Sequence, residues 1–447
     1  MLALATAGAC SPDSLVGGSA LPPDVPDPAT TKTPAGALAA YHGAVILFRD
    51  AFGGGSGGVL ASYIDVSGVL TDELQVNTLG TPLGFIPIDG TPTSLDTRIL
   101  PELHSADQDV YRKLQLARGQ AQQARGMLRA YGGNVSPALL AHLYALEGYS
   151  ELLLADLFCS GIPLSTVDFD ADYTYQPGST TAVVYEHAVT LFDSALALAA
   201  DSARIENLAR VGRGRAYLAL GRYPEAAAAV TAVPDQFQYV ESYIDEGTSG
   251  SAHAATNFGN VLSGSSWLAT TADREGNNGL DYRSSGDPRT PSTLLGTNEF
   301  GAPLYHPDKY ATDGSSPIVL ADWVEARLIE AEAALQGGDA GTWLGKLNYL
   351  RQTAISPALS DTTDPGTAQA RVDLLFRERA FWLYLTGHRQ GDLRRLIRQY
   401  GRDQAQVYPA GPYPGALGAY GSDVTVPVPE AERQYNPKYT GCIDRGA

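Results

Sequence analysis

Apolar residues recur at helical spacing along most of the chain, and the clearest case lies in its last third. Val324, Leu328 and Ala331 fall four and three residues apart, which places them on one face of a helix. Gly337-Gly338 then interrupts the pattern, which resumes in the following residues. Residues 323–351 are therefore predicted to form two antiparallel helices joined by a tight turn.

The same spacing predicts helices elsewhere. A further helical segment is expected within residues 372–397, with Gly387 ending its first helix. Upstream, helical spacing covers residues 34–52, 97–131, 137–158, 182–200 and 207–231. In the last of these, a small-residue face and a turn at Gly221 resemble a tetratricopeptide repeat. The predicted fold is mainly α, a scaffold of tetratricopeptide-like helix pairs.

Two blocks, residues 53–97 and 234–319, lack helical periodicity, and the second is rich in Gly, Ser, Asn, Asp and aromatic residues. Long loops within a compact protein are usually functional or disordered, so the scaffold is predicted to display an irregular, loop-rich subdomain. The expected organisation is a lipoprotein signal over 1–10, a flexible tether over 11–33, an N-terminal helical scaffold over 34–233, a ligand-facing subdomain over 234–319 and a C-terminal helical part over 320–447 that completes the scaffold.

Several short motifs in the helical part carry a family resemblance. They read EARLIEAEA at 325–333, LNYLR at 347–351, RER at 377–379 and GHRQGDLRR at 387–395. With Asp287-Pro288-Arg289 and Lys309-Tyr310 upstream, they resemble the SusD/RagB family, whose members are lipid-anchored nutrient-binding proteins of bacterial outer membranes. The resemblance extends from about residue 38 to residue 442, although Thr386 stands where the family usually has Glu.

This resemblance implies a function without covalent chemistry or a cofactor. The protein would capture a nutrient, a glycan or oligosaccharide above all, at the outer-membrane surface and deliver it to a TonB-dependent transporter barrel. The alternative is a structural or self-assembling extracellular protein, because helical-repeat surfaces readily form protein contacts.

The three cysteines differ in their surroundings. Cys10 follows a short apolar run that ends in small residues, as the lipidated cysteine of a bacterial lipoprotein does, and is predicted to anchor the protein in the outer membrane. No Lys or Arg precedes the run, and the alternative is an apolar terminus without a signal. Cys159 and Cys442 remain as a pair, which can be a disulfide or two buried thiols.

The amino-acid composition indicates which classes of binding partner are expected. A formal net charge of −18 argues against binding to duplex nucleic acid, because few Lys and Arg residues are available to neutralise phosphates. Tyrosine outnumbers phenylalanine by 24 to 11, and its polar hydroxyl suits wet binding surfaces and sugar faces.

Saccharide recognition requires exposed aromatic faces beside planar polar groups. Residues of both kinds concentrate in the irregular blocks. The predicted ligand-binding residues are Asn77, Trp267, Arg274, Asn277, Asp281, Tyr282, Arg283, Tyr305 and Tyr310. The alternative for any single aromatic residue is that it pins a long loop to the helical body.

Enzyme signatures are weak. The run Gly54–Gly58 matches a nucleophile-elbow pattern but follows a helical segment instead of a strand. None of the seven histidines has another at a spacing suited to a helical metal site. Carboxylates suited to glycoside hydrolysis, Glu325, Glu330, Glu332 and Glu378, lie near arginines at helical spacing, which favours ion pairs. The sequence therefore predicts neither an enzyme nor a metal site.

Overall fold

The computed structural model describes most of the chain. The described residues are 31–54, 60, 62–76, 92–101, 108–168, 170, 172–199, 201–243, 269–297, 301–414 and 418–447. The predicted lipidation site Cys10, the tether as far as residue 30 and residues 55–59 of the glycine run lie outside this set.

Fourteen helices account for most of the regular structure in the described residues. They are α1 (Pro34–Gly53), α2 (Tyr63–Leu70), α3 (Pro92–Asp96), α4 (Gln108–Tyr131), α5 (Pro137–Leu157), α6 (Thr181–Leu198), α7 (Ala203–Ala219), α8 (Tyr223–Val230), α9 (Trp323–Gln336), α10 (Ala340–Thr353), α11 (Ala368–Trp382), α12 (Arg389–Arg398), α13 (Gln404–Val407) and α14 (Glu430–Tyr435). The predicted mainly α fold is confirmed. None of these helices combines the length and apolarity that a bilayer crossing requires.

Capping residues fix where the scaffold helices begin. The Thr33 hydroxyl accepts a hydrogen bond from the Gly36 N–H at 3.1 Å, and Pro34 occupies the first turn of α1. Ser136 caps α5 in the same way, and Thr180 caps α6. These signals are local in sequence, so the predicted starts of these three helices lie within one residue of the observed ones.

Two predicted helix boundaries are wrong. The helix expected from Thr97 begins at Gln108, because Arg98 adopts a left-handed backbone (φ 55°) and Pro101 restricts the residue before it. At the other end of the chain, α11 stops at Trp382, five residues before Gly387. Gly387 is left-handed (φ 77°), and a Cβ at this position would lie 2.8 Å from the ring of Tyr63.

Neighbouring helices pack in sequence order. Contacts join α4 to α5, α5 to α6, α6 to α7, α7 to α8 and α9 to α10, while α8 packs on α9 and connects the two helical parts. The larger of two hydrophobic clusters in the described part of the chain contains Tyr149, Phe192 and Leu328, from both helical parts. Gly212 allows close packing here, because a Cβ on it would lie 2.5 Å from the Phe192 ring.

Short strands that the sequence did not predict lie in the two irregular blocks and between α5 and α6. Ten strands occur among the described residues: β1 (Leu74–Val76), β2 (Ile162–Pro163), β3 (Thr166–Val167), β4 (Tyr173–Thr174), β5 (Gly178–Ser179), β6 (Gln238–Glu241), β7 (Ala269–Thr271), β8 (Ser292–Thr297), β9 (Pro303–Pro307) and β10 (Ile318–Asp322). Antiparallel pairs form between β1 and β7, β2 and β5, β3 and β4, β6 and β10, and β8 and β9. The strands of two and three residues are too short to show an alternating pattern.

A disulfide joins Cys159, just after α5, to Cys442 near the C-terminus, with Cα atoms 5.9 Å apart. The two cysteines are separated by 283 residues in sequence. Around them, the Cys159 N–H donates to Val426 O at 2.8 Å, and the Ser160 N–H donates to Asp444 O at 2.9 Å. The C-terminal segment is therefore fastened covalently and by hydrogen bonds to the end of a core helix.

Candidate functional site

Four short strands, β1, β7, β9 and β8, form a ribbon next to which several of the predicted ligand-binding residues in the described part of the chain lie. Thr270 of β7 links the two strand pairs, because its hydroxyl accepts from the Tyr305 N–H at 2.8 Å and donates to Tyr305 O at 3.2 Å. The Arg283 guanidinium lies over the half-buried Tyr305 ring, 3.8 Å from its centroid. Arg283 and Tyr305 are thus brought together as a stacked pair.

Two other predicted residues, Asn77 and Trp267, are close in sequence to strands of this ribbon. Val76 and Ala269 are antiparallel partners at the ends of β1 and β7. Asn77 comes directly after Val76, and Trp267 precedes Ala269 by two residues. Asn77 and Trp267 both lie outside the described residues, so their contact with a ligand stays a prediction.

A loop of residues 272–286 follows β7 and is held in one shape by its own hydrogen bonds. The Asp273 carboxylate accepts from the Arg283 N–H at 2.9 Å. The Asn277 N–H donates to Ala410 O at 2.9 Å, which fastens the loop to the C-terminal part. The predicted polar residues are therefore displayed on a structured loop instead of a free one.

Two arginines share one carboxylate at the surface of this loop. Asp281 accepts from Arg377 of α11 at 2.7 Å, and Arg274 lies 3.5 Å from its other oxygen. The side chain of Arg274 is 67% exposed and that of Arg377 is 40% exposed. Partial burial raises the pKa of Asp281, but the hydrogen bond and charge of Arg377 outweigh burial and hold that pKa below its ordinary value. The cluster presents two partly exposed guanidinium groups beside an ionised carboxylate.

A cavity of about 170 Å³ opens beside this cluster, between the loop, α11, α12 and α13. Its apolar wall is formed by Leu280, Phe376, Leu393, Leu396 and Val407, and its polar lining by Asn278, Asp373, Arg377, Arg389, Arg402 and Gln406. Each of the three arginines is paired with a carboxylate, Arg377 with Asp281, Arg389 with Asp72 and Arg402 with Asp373. The cavity therefore combines an apolar wall with balanced charge, which suits a hydroxylated, uncharged ligand.

The structure corrects the expectation for two predicted residues. Tyr282 is 1% exposed and Tyr310 is 4% exposed, so neither presents a ring to a ligand. Tyr282 packs against the Tyr384 ring at a centroid distance of 4.6 Å, and the Tyr310 hydroxyl donates to Leu385 O at 2.7 Å. Both tyrosines pin the irregular region to the segment between α11 and α12, the alternative that the sequence left open for single aromatics.

A buried carboxyl pair supports the loop, and sequence analysis missed it. Asp96 and Glu275 are 1% and 3% exposed and hydrogen-bond to each other. The Tyr413 hydroxyl donates to Asp96 at 2.6 Å, and the Tyr420 hydroxyl donates to Glu275 at 3.0 Å. Burial raises the pKa of Asp96 to about 6, and burial together with Asp96 raises the pKa of Glu275 well above its ordinary value. A proton shared by the two carboxyls supplies the donor that this contact needs.

This pair does not have the arrangement of a glycosidase. Its carboxyls bond to each other, whereas hydrolysis requires two carboxyls separated by a sugar linkage. The helical carboxylates are also engaged in ion pairs: Glu325 with Arg215, Glu330 with Lys346, Glu332 with Arg395 and Glu378 with Arg289. Within the described part of the chain, no three His, Cys, Asp or Glu side chains converge as a metal site would require.

Comparison with known proteins shows which solved structures share this architecture. No protein-family model matches the chain, and no curated protein sequence matches it significantly. Among solved structures, a SusD superfamily protein from Bacteroides thetaiotaomicron VPI-5482 is 16% identical, with 92% of this chain and 99% of that chain covered and a TM-score of 0.68.

Two further solved structures are similar over the same extent. A SusD-like carbohydrate binding protein from Bacteroides vulgatus ATCC 8482 is 14% identical, with 91% and 97% of the two chains covered and a TM-score of 0.65. A laminarin binding SusD-like protein is 15% identical, with 92% and 99% covered and a TM-score of 0.62. The chain has the fold of the SusD superfamily, as its motifs predicted.

Proposed function

We propose that this protein binds a glycan at the bacterial cell surface and hands it to a TonB-dependent transporter without changing it chemically. The shared fold carries the proposal, because it extends over more than nine tenths of this chain and includes structures described as carbohydrate binding and laminarin binding. Fold alone does not determine function, so the site must supply the binding chemistry.

The cavity beside Asp281 provides suitable chemistry. The C–H face of a sugar ring can lie against its apolar wall, near Phe376, while hydroxyls bond to Asn278 and to the shared Arg377–Asp281 pair. Arg274 extends this polar edge outwards. Paired guanidinium and carboxylate groups offer both donors and acceptors, as sugar hydroxyls require.

Transport explains why such binding would be reversible. A protein that passes its ligand on must release it, so moderate affinity is expected. Lipidation at Cys10 and a tether over residues 11–33 would hold the protein at the outer membrane beside its transporter.

A glycan array followed by titration calorimetry tests the binding site. Exchanging Arg274 and Arg377 for alanine should lower the affinity for the glycan identified on the array by roughly 10- to 100-fold, because each charge-assisted hydrogen bond contributes about 1–3 kcal/mol. Arg371→Ala is the matched control, since Arg371 lies on the same helix and pairs at 2.7 Å with Asp364, away from the cavity.

The control should bind as the wild type does. Equal affinity for the double variant and the wild type would exclude this cavity as the glycan site. A glycan recovered in cleaved form from the wild-type protein would contradict a purely binding role.

A further inference from the structure

Two tyrosines outside the candidate site form an exposed aromatic surface. Tyr173 and Tyr175 lie two residues apart in the short segment that contains β4. They are 64% and 36% exposed. Their rings stack with centroids 6.2 Å apart and an angle of 19° between planes. The two neighbouring, nearly parallel rings form an exposed aromatic surface, which we term the tyrosine platform.

The hairpin beneath the platform is hydrogen-bonded to a scaffold helix. Val167 pairs with Tyr173 across β3 and β4, is itself buried, and donates its N–H to Gln122 of α4 at 3.0 Å. In the turn, the Asp168 carboxylate accepts from the N–H of Asp172 at 3.0 Å. Because the hairpin is fixed to a scaffold helix, little conformational entropy is lost when a ligand lies on the rings.

A third exposed tyrosine lies on the neighbouring segment. The Asn436 side chain donates to Gln176 O at 2.9 Å, which joins the residue after Tyr175 to the residue after Tyr435. Tyr435 is 73% exposed. Single exposed aromatic residues are common on protein surfaces, whereas three exposed tyrosines on two adjoining segments form a larger exposed aromatic area.

We propose that the tyrosine platform is a second saccharide-binding surface, which takes uncharged pyranose units of a long polysaccharide. The C–H face of a pyranose ring packs on aromatic faces, and rigid tyrosines provide such contact at low entropic cost. The surrounding turn carries Asp168, Asp170 and Asp172. Asp170 is paired with Lys32 at 2.9 Å, so Asp168 and Asp172 carry the remaining negative charge, which disfavours an acidic glycan, and the carboxylate oxygens can accept from neutral hydroxyls.

The size of the platform favours a sugar over a protein partner. Two tyrosine side chains provide at most roughly 300–500 Å² of contact. A stable protein–protein interface buries roughly 800 Å² on each partner. A strip of two or three rings instead matches a few units of a polysaccharide chain.

The inference rests on the proposed glycan-binding function and adds a second contact to it. Two linked sites on one polymer bind more tightly than either alone, whereas a short oligosaccharide occupies a single site. The test is affinity electrophoresis in gels cast with laminarin, amylopectin, galactomannan or polygalacturonate, with titration of the matching trisaccharides. The proteins are the wild type, a variant with Tyr173→Ala and Tyr175→Ala, and Tyr349→Ala as the control, an exposed tyrosine on α10.

The platform variant should lose at least roughly tenfold in affinity for a neutral polysaccharide that retards the wild type. Its affinity for the corresponding trisaccharide at the cavity should be unchanged, and the control should match the wild type for both ligands. Retention of full polysaccharide affinity by the platform variant would overturn the inference.

The same gels separate this inference from the proposed function. If Arg377→Ala abolishes binding and the platform variant does not, the result supports the cavity as a glycan site and refutes the platform as one. If the platform variant loses binding and Arg377→Ala does not, the result supports the platform and refutes the cavity. Retardation of the wild type by polygalacturonate alone would refute the neutral ligand class, and retardation in none of the gels would overturn both proposals.

Discussion

Replacing Glu275 with glutamine removes an ionisable group from the buried Asp96–Glu275 pair and keeps its shape. A glutamine side chain can still donate to Asp96 and accept from the Tyr420 hydroxyl, as the protonated carboxyl of Glu275 does. The two proteins should therefore differ chiefly in proton uptake on folding.

The sign of the effect follows from the raised pKa. Burial and Asp96 raise the pKa of Glu275 well above its model-compound value of 4.5, so the folded protein retains a proton that the unfolded chain releases above that pH. The free energy of unfolding of the wild type therefore falls as pH rises above 4.5. The Glu275→Gln variant lacks this contribution, because glutamine does not ionise. The difference therefore grows with pH above 4.5, by up to about 1.4 kcal/mol for each pH unit, until the folded-state pKa of Glu275 is reached.

Urea unfolding followed by far-ultraviolet circular dichroism at pH 4, 5.5 and 7 measures this difference. Glu275→Gln should match the wild type at pH 4 and exceed its unfolding free energy at pH 7. Glu225→Gln, at an exposed helical position, is the control and should show no such trend. A difference between Glu275→Gln and the wild type that is constant with pH, or that falls as pH rises, would refute the shared-proton account of the pair.

Three other perturbations have expected outcomes. Replacing both Cys159 and Cys442 with serine should lower the free energy of unfolding by about 2–5 kcal/mol in chemical denaturation, because the disulfide closes a very long loop. Asp72→Asn should cost about 3–5 kcal/mol in the same assay, since it removes the charge partner of the buried Arg389 guanidinium. Gly212→Ala should cost about 1–3 kcal/mol and lower the melting temperature, because the added methyl group would overlap an aromatic ring.

The helical scaffold could be predicted because its signals are local. Val324, Leu328 and Ala331 define the buried face of α9, and Gly337 marks its end, all within four turns. The start of α4 was misplaced because Arg98 departs from helical geometry for a reason outside its own segment: its side chain bonds to Gly421 O at 2.7 Å. A contact between residues so far apart leaves no trace in periodicity.

The site was predictable only in part for the same reason. Arg274, Asn277 and Asp281 were identified from residue type, and the structure places them on one loop. Arg377 was interpreted as a helix ion-pair partner, and nothing in its helical surroundings indicates that it reaches Asp281.

The sequence also did not indicate which of these side chains are buried. Tyr282 lies in a polar segment that predicts exposure, but it is buried against Tyr384 of a distant segment. The carboxyl pair of Asp96 and Glu275 likewise forms only when loops far apart in sequence meet. Residue type therefore located the ligand-facing loop, while tertiary packing decided which of its side chains face solvent.

The central claim, capture of a glycan for a transporter, is tested most directly by purifying the native protein from detergent-solubilised outer membranes and identifying co-purifying proteins by mass spectrometry. The account predicts recovery of a TonB-dependent transporter barrel in nearly equal amount. Recovery of the protein alone, as large homopolymers, would contradict the account and support a structural, self-assembling role.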